Sequence, residues 1–264
     1  MLDGNNRLIM EKDIRVWGTR DSFPNTNVFC NEYGGDTCCV SYETAEAYYV
    51  FDAGSGLYRF GEAVKDNGKP ILIFLSSITA DRIMGLINFT PLSEAGRPIY
   101  IYSRTTAEFE ESSALDILNR FCGRPFGVND IDKRGASVYV GEIFSGDDIA
   151  INEDSGNIVH ISVVAGKNAT YYSLKDNSIS FAYVLDSATD EDNDDKIINF
   201  VSGHKYMFTA DMDMVQLANQ GLVEKVVVMQ YPVDIEDKDL FEVESEMKKT
   251  SAKIIFGRGG MILQ

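Results

Sequence analysis

The chain has 264 residues, 44% hydrophobic and 25% charged, which is the balance of a folded globule with a large core and excludes disordered and fibrous classes. Acidic residues outnumber basic ones 41 to 24, a formal net charge of −17, and no Lys/Arg cluster offsets it, so neither nucleic-acid nor anionic-membrane binding is expected. No apolar run approaches about 18 residues, and residues 1–12 lack the basic end and apolar stretch of a secretory signal, so the expected location is cytoplasmic.

Residues 13–17, 37–42 and 47–51 are short runs rich in Val, Ile, Tyr and Cys, broken by glycines, and read as strands. Tyr33-Gly34-Gly35 and Asp52-Ala53-Gly54-Ser55-Gly56 read as tight turns at strand ends. Ile71-Leu72-Ile73-Phe74-Leu75 is continuously apolar, a strand buried on both faces. An amphipathic helix over 80–89 follows, with Ile83, Met84, Leu86 and Ile87 apolar and Thr79 as its N-cap. Next come a strand at 98–102, a helix over 105–121, and strands at 137–140, 158–164, 170–174 and 180–185. A helix over 196–201, a strand at 206–209, a helix over 212–220, a strand at 225–229 and a helix over 240–249 lead to two closing strands, 254–256 and 261–263. With neither linker nor repeat, this order predicts an extension of residues 1–12 and one domain over 13–264, two layered sheets with helices outside.

Cys30, Cys38, Cys39 and Cys122 are too few and too unevenly spaced for a disulfide framework or a zinc ribbon. Adjacent in a strand, Cys38 and Cys39 point to opposite faces, so at least one is a core residue.

Three glycine-rich motifs carry a resemblance. Trp17-Gly18-Thr19-Arg20-Asp21-Ser22-Phe23-Pro24, Tyr33-Gly34-Gly35-Asp36-Thr37-Cys38-Cys39 and Phe51-Asp52-Ala53-Gly54-Ser55-Gly56-Leu57 stand in the order and spacing of the opening of metallo-β-lactamase-fold hydrolases. The chain is most similar to their phosphodiesterase and RNase-Z-like branch, and Phe256-Gly257-Arg258-Gly259-Gly260-Met261 resembles that branch's Ala-Arg-Glu-Gly-Met close. The resemblance spans residues 13–264 and implies a four-layer αββα sandwich with its site along one edge, at the strand ends.

That family's chemistry rests on a His-x-His-x-Asp-His motif after the fourth strand, which holds zinc and lowers the pKa of bound water. The corresponding segment here is Ser77-Ile78-Thr79-Ala80-Asp81-Arg82, so Ser77, Thr79 and Arg82 stand at the three histidines and only Asp81 is kept. The resemblance places the family's next His near Asn168, its bridging carboxylate at Asp186 and its last His at Met229 or Gln230. The chain's two histidines, His160 and His204, match no ligand position and read as surface residues at element ends. Hydroxyls and an amide are weak zinc ligands, and a guanidinium has no lone pair to give, so no zinc cofactor is expected.

Without a metal, Asp81 and Asp186 would be neighbouring uncompensated anions, a costly arrangement in a desolvated cleft. Arg82 is therefore expected to form an internal ion pair with Asp186 or Asp81 in place of the metal, the competing reading being that it points to solvent. Asp52 is expected to cap backbone N–H groups of the turn that follows it, and Asp211 and Asp213 to cap a helix. The resulting expectation is a catalytically inactive protein whose metal-free cleft binds a small ligand or a protein partner, with a homodimer permitted. The alternative is a phosphodiesterase-like hydrolase using a hard cation on Asp81 and Asp186.

Overall fold

The computed structural model describes residues 13–104, 112–166, 169–185, 194–211 and 213–264. Strands β1 (Ile14–Gly18), β2 (Cys39–Glu43), β3 (Tyr48–Phe51), β4 (Ile71–Phe74), β5 (Pro98–Ser103) and β6 (Ser137–Glu142), with β14 (Ile262–Leu263), form one seven-stranded sheet in the order β14-β1-β2-β3-β4-β5-β6. Strands β7 (Asp148–Asn152), β8 (Ile158–Ala165), β9 (Thr170–Lys175), β10 (Ser180–Val184), β11 (Tyr206–Thr209), β12 (Lys225–Val228) and β13 (Ile254–Phe256) form the other, in the order β13-β12-β11-β10-β9-β8-β7. Each sheet is antiparallel on one side and parallel on the other: β3 to β6 run parallel in the first, β10 to β13 in the second.

The layering follows from side-chain alternation along these strands. Val40, Tyr49, Phe51, Phe74, Tyr172, Phe181, Tyr183 and Phe208 face one another between the sheets. The opposite face of the first sheet, with Val50, Ile73, Ile99 and Ile101, is covered by α1 (Leu57–Val64), α2 (Ala80–Ile83) and α3 (Ala114–Cys122) through Leu57, Phe60, Ile83 and Leu118. The outer face of the second, with Ala182, Val184 and Val226, is covered by α4 (Asp194–Val201), α5 (Gln216–Asn219) and α6 (Asp237–Thr250) through Ile197, Leu217 and Leu240. These four layers are the expected αββα sandwich. Cys38 belongs to the inter-sheet core and Cys39 to the outer one, so the adjacent pair does divide between faces.

Several local expectations are corrected. The helix over 80–89 stops at Ile83 and continues as a 3-10 turn, Met84–Asn88. Gly85 donates its N–H to the Ala53 carbonyl at 2.9 Å, and a Cβ there would lie 2.1 Å from the Gly54 carbonyl oxygen, so the chain is drawn off the α-helical path against the loop after β3. Thr79 holds the N-cap position without capping; its hydroxyl meets Ser77 Oγ at 2.8 Å. Ser113 instead closes a capping box with Asp116 and starts α3; of the helix expected over 105–121, residues 105–111 lie outside the described residues. The 212–220 helix divides into a 3-10 turn, Asp213–Val215, and α5. Helix α1 and strand β7 are additional, and the two closing strands enter different sheets. Among the described residues no helix is long and apolar enough to cross a membrane.

Candidate functional site

Parallel strands deliver their carboxyl ends to one edge of a sheet, where loops can converge on a ligand. Here β3 ends at Asp52, β4 at Leu75–Ser77 and β5 at Arg104, while β12 of the other sheet leads to Met229 and Gln230. The start of β9 closes on the same edge: Thr170 N–H donates to the Ser76 carbonyl at 2.8 Å, and the Tyr172 hydroxyl to the Leu75 carbonyl at 2.6 Å.

At the centre of this edge lies a buried charge cluster. Asp52 follows β3 in a left-handed conformation (φ 59°) and is fully buried. Ser76 N–H donates to its Oδ1 at 2.7 Å, and its Oδ2 accepts from Ser76 Oγ at 2.8 Å, Tyr183 Oη at 2.9 Å and Arg82 Nη1 at 3.3 Å. Asp52 thus caps the strand end beside it, not the turn after it, because the pairing of Phe51 with Phe74 sets Asp52 next to Ser76. Burial pushes the Asp52 carboxyl up to about 6, while Arg82, the Ser76 N–H and the Ser76 and Tyr183 hydroxyls pull the other way.

Arg82, from α2, is also fully buried, so the solvent-facing reading is overturned. Its Nε lies 3.1 Å from Asp81 Oδ2, one of the two expected partners, Asp186 being outside the described residues, and its Nη1 reaches Asp52, which was not expected. The backbone fixes this placement: Arg82 N–H donates to the Thr79 carbonyl at 3.0 Å and its carbonyl accepts from Ala53 N–H at 2.8 Å. Thr37 Oγ1 donates to the Asp81 carbonyl at 2.9 Å.

The remaining expected positions divide. Ser77 and Thr79 pair through their hydroxyls. Gln230 adopts φ 66° and donates from Nε2 to Asp21 Oδ1 at 3.1 Å, while Met229 points into the inter-sheet core. Asn168 and Asp186 lie outside the described residues. Neither histidine belongs to this edge. His160 lies within β8 paired with Lys175, at the far end of β9, and His204 precedes the amino end of β11 with its Nδ1 2.9 Å from the Val201 carbonyl. Asp211 uses its N–H toward Thr209 Oγ1 at 3.0 Å.

The described residues do not fit a transition-metal centre. Among them no group of three or more His, Cys, Asp or Glu is arranged to hold a metal ion. The Asp52 oxygens are engaged by four donors, and Asp81 faces the Arg82 guanidinium, which has no lone pair to give a metal. Asp52 is equally unsuited to proton abstraction, being out of solvent with both oxygens occupied. Sequence reasoning missed Ser76, Tyr183 and Arg104 at this edge. The one available signal for Tyr183 was its hydroxyl, which needs a partner when placed in so apolar a strand.

No protein-family model and no curated protein matches the chain. Solved structures match it over nearly their whole length. The metallo-β-lactamase fold protein YhfI of Bacillus subtilis superposes with a TM-score of 0.64 at 13% identity, covering 95% of this chain and 98% of that one. A diphosphatase of the PhnP family gives 0.65 at 15% identity, covering 96% and 98%. The short form of human tRNase Z gives 0.58 at 11% identity, covering 96% and 98%. Likeness at such low identity speaks to architecture alone, and on that architecture, two seven-stranded sheets between two helical layers, the chain has the metallo-β-lactamase fold.

Proposed function

We propose that this chain is a metal-free variant of the fold, a non-hydrolytic protein whose strand-end cleft binds a ligand. The observation that carries the reading is Arg82, a buried guanidinium paired with Asp52 and Asp81; the sequence resemblance aligns it with an imidazole of the family's motif. Two carboxylates in a desolvated cleft need a counter-charge, and a guanidinium in the chain provides one at any metal concentration. Had a hard cation been the counter-charge, Asp81 would have to leave Arg82, and the buried guanidinium would lose a partner at a cost of about 3–5 kcal/mol.

The test is metal analysis of purified protein together with phosphodiester hydrolysis in the presence of Zn²⁺, Mn²⁺ or Mg²⁺. The expected result is substoichiometric metal and no turnover above the uncatalysed rate. Stoichiometric metal with turnover lost in Asp81→Ala would overturn the reading.

A further inference from the structure

A second guanidinium at the same edge is under-used. Arg104 directly follows β5, half-buried between the sheets, and its Nη2 makes one long hydrogen bond, 3.3 Å, to the Gly166 carbonyl. Its Nε is buried with no hydrogen-bond partner, and among the described residues no carboxylate pairs with it, although the chain carries 41. A guanidinium has five N–H donors, and leaving buried donors unmet costs free energy that a bound acceptor would recover. Arg20 Nη2 and Arg82 Nε are also buried without a hydrogen bond, but Arg20 meets three carbonyls and Asp237, Arg82 two carboxylates and Arg97 four acceptors, whereas Arg104 has, among the described residues, the single Gly166 carbonyl.

The neighbouring strand end supplies further donors. Leu75 N–H donates to the Tyr102 carbonyl at 2.9 Å, so Ser77 and Arg104 each stand two residues past a paired position on adjacent strands. Strands lie about 4.8 Å apart, within the span of one small oxyanion and its hydrogen bonds. Ser77 and Thr79 spend one hydroxyl proton on each other and keep the second to donate outward, and both side chains reach solvent. Gly166, just after β8, and Thr170, at the start of β9, are both tied to this edge, the first by Arg104 Nη2 and the second by the Ser76 carbonyl.

We infer that this edge is an anion site: Arg104, with the Ser77 and Thr79 hydroxyls, holds the phosphate or carboxylate end of a small ligand. The inference rests on the metal-free reading of the same edge and deepens it by naming the ligand's charge. A site whose described cations are guanidiniums and whose free donors are N–H and O–H groups recognises an oxyanion by charge-assisted hydrogen bonds.

The experiment is titration of the full chain with inorganic phosphate, and separately with acetate, at constant ionic strength in EDTA, followed by melting temperature and calorimetry. Arg104→Gln is the test variant and Arg120→Gln, an exposed arginine of α3, the control. Saturable stabilisation by at least one anion in the wild type and control, with affinity at least about tenfold weaker in Arg104→Gln, is the expected result. Equal stabilisation of wild type and Arg104→Gln means an adventitious ion only and overturns the inference while leaving the metal-free reading intact. Anion binding that disappears in EDTA and returns with Zn²⁺ overturns the metal-free reading itself. Should Arg104→Gln not fold, the Nε–H resonance of Arg104 in the wild type, assigned with Arg104→Lys, decides: it shifts on addition of phosphate or acetate if the site exists, and stays fixed under both if it does not.

Discussion

Arg20 and Arg82 are both fully buried at the same edge, yet they are satisfied in different ways. Arg20 donates to carbonyls, from Nε to Gly34 at 2.8 Å and from Nη1 to Pro232 at 3.2 Å and Ile235 at 2.7 Å, with the Asp237 carboxylate further off at 3.6 Å. Arg82 meets carboxylates, Asp81 at 3.1 Å and Asp52 at 3.3 Å. Thr37 stands between them, bridged to Arg20 and bonded to the Asp81 carbonyl. The first arginine is a clamp: its planar fork ties the loop after β1 to residues 232–235, more than two hundred positions later. The second balances charge, and its value lies in the anions it neutralises. Burial alone therefore does not say what an arginine does; the acceptor type does.

The comparison predicts a ranked series. Arg82→Ala leaves Asp52 buried without its cation and is expected to cost about 3–5 kcal/mol in a denaturant titration, the largest effect of the set. Arg20→Lys keeps the charge but cannot span three carbonyls, leaving buried acceptors unmet, and should cost about 3 kcal/mol. If Arg20→Lys were neutral, its clamp role would be wrong. Tyr183→Phe removes one of four donors to the Asp52 carboxylate and should cost about 2 kcal/mol, measurable by the same titration.

A pH series sharpens the charge-balancing half. The Asp52 carboxyl, at about 6 in the fold, lies above its unfolded value of about 3.9. Between those values the folded state holds more of the proton than the unfolded one, so the group's contribution to stability falls as pH rises and levels off above about 6. The difference in unfolding free energy between wild type and Asp52→Asn should therefore decline across that window. A rise across it would mean that Arg82 outweighs burial. The smallest effect expected is Thr79→Ala, within about 0.5 kcal/mol since the side chain caps nothing, against about 1 kcal/mol for Ser113→Ala, whose capping box is formed.

Much of the architecture was legible because alternation and apolar runs report which faces are covered. The continuous run Ile71–Phe74 marked a strand buried on both sides, and Cys38 and Cys39 divided between two cores as adjacent strand residues must. Helix α1 escaped because it is eight residues long, follows a glycine-rich turn and carries Gly61 inside. At the site, the absence of aligned histidines could be counted from sequence, and so could the pairing of Arg82 with Asp81, its immediate neighbour. The bond to Asp52 could not, since it depends on the register of β3 against β4, and a one-residue slip would have turned that carboxylate to the other face. Arg104 was invisible for a related reason: an arginine at a strand end says nothing about how many acceptors the fold will bring to it.

The most direct test of the central claim, that a guanidinium replaces the metal ion, is the melting temperature of the wild-type chain against concentration of Zn²⁺, Mn²⁺ and Mg²⁺. A ligand that binds the folded state stabilises it in proportion to the logarithm of its concentration above the dissociation constant. The account predicts a flat line for all three ions. A steady rise that disappears in Asp81→Ala would contradict it.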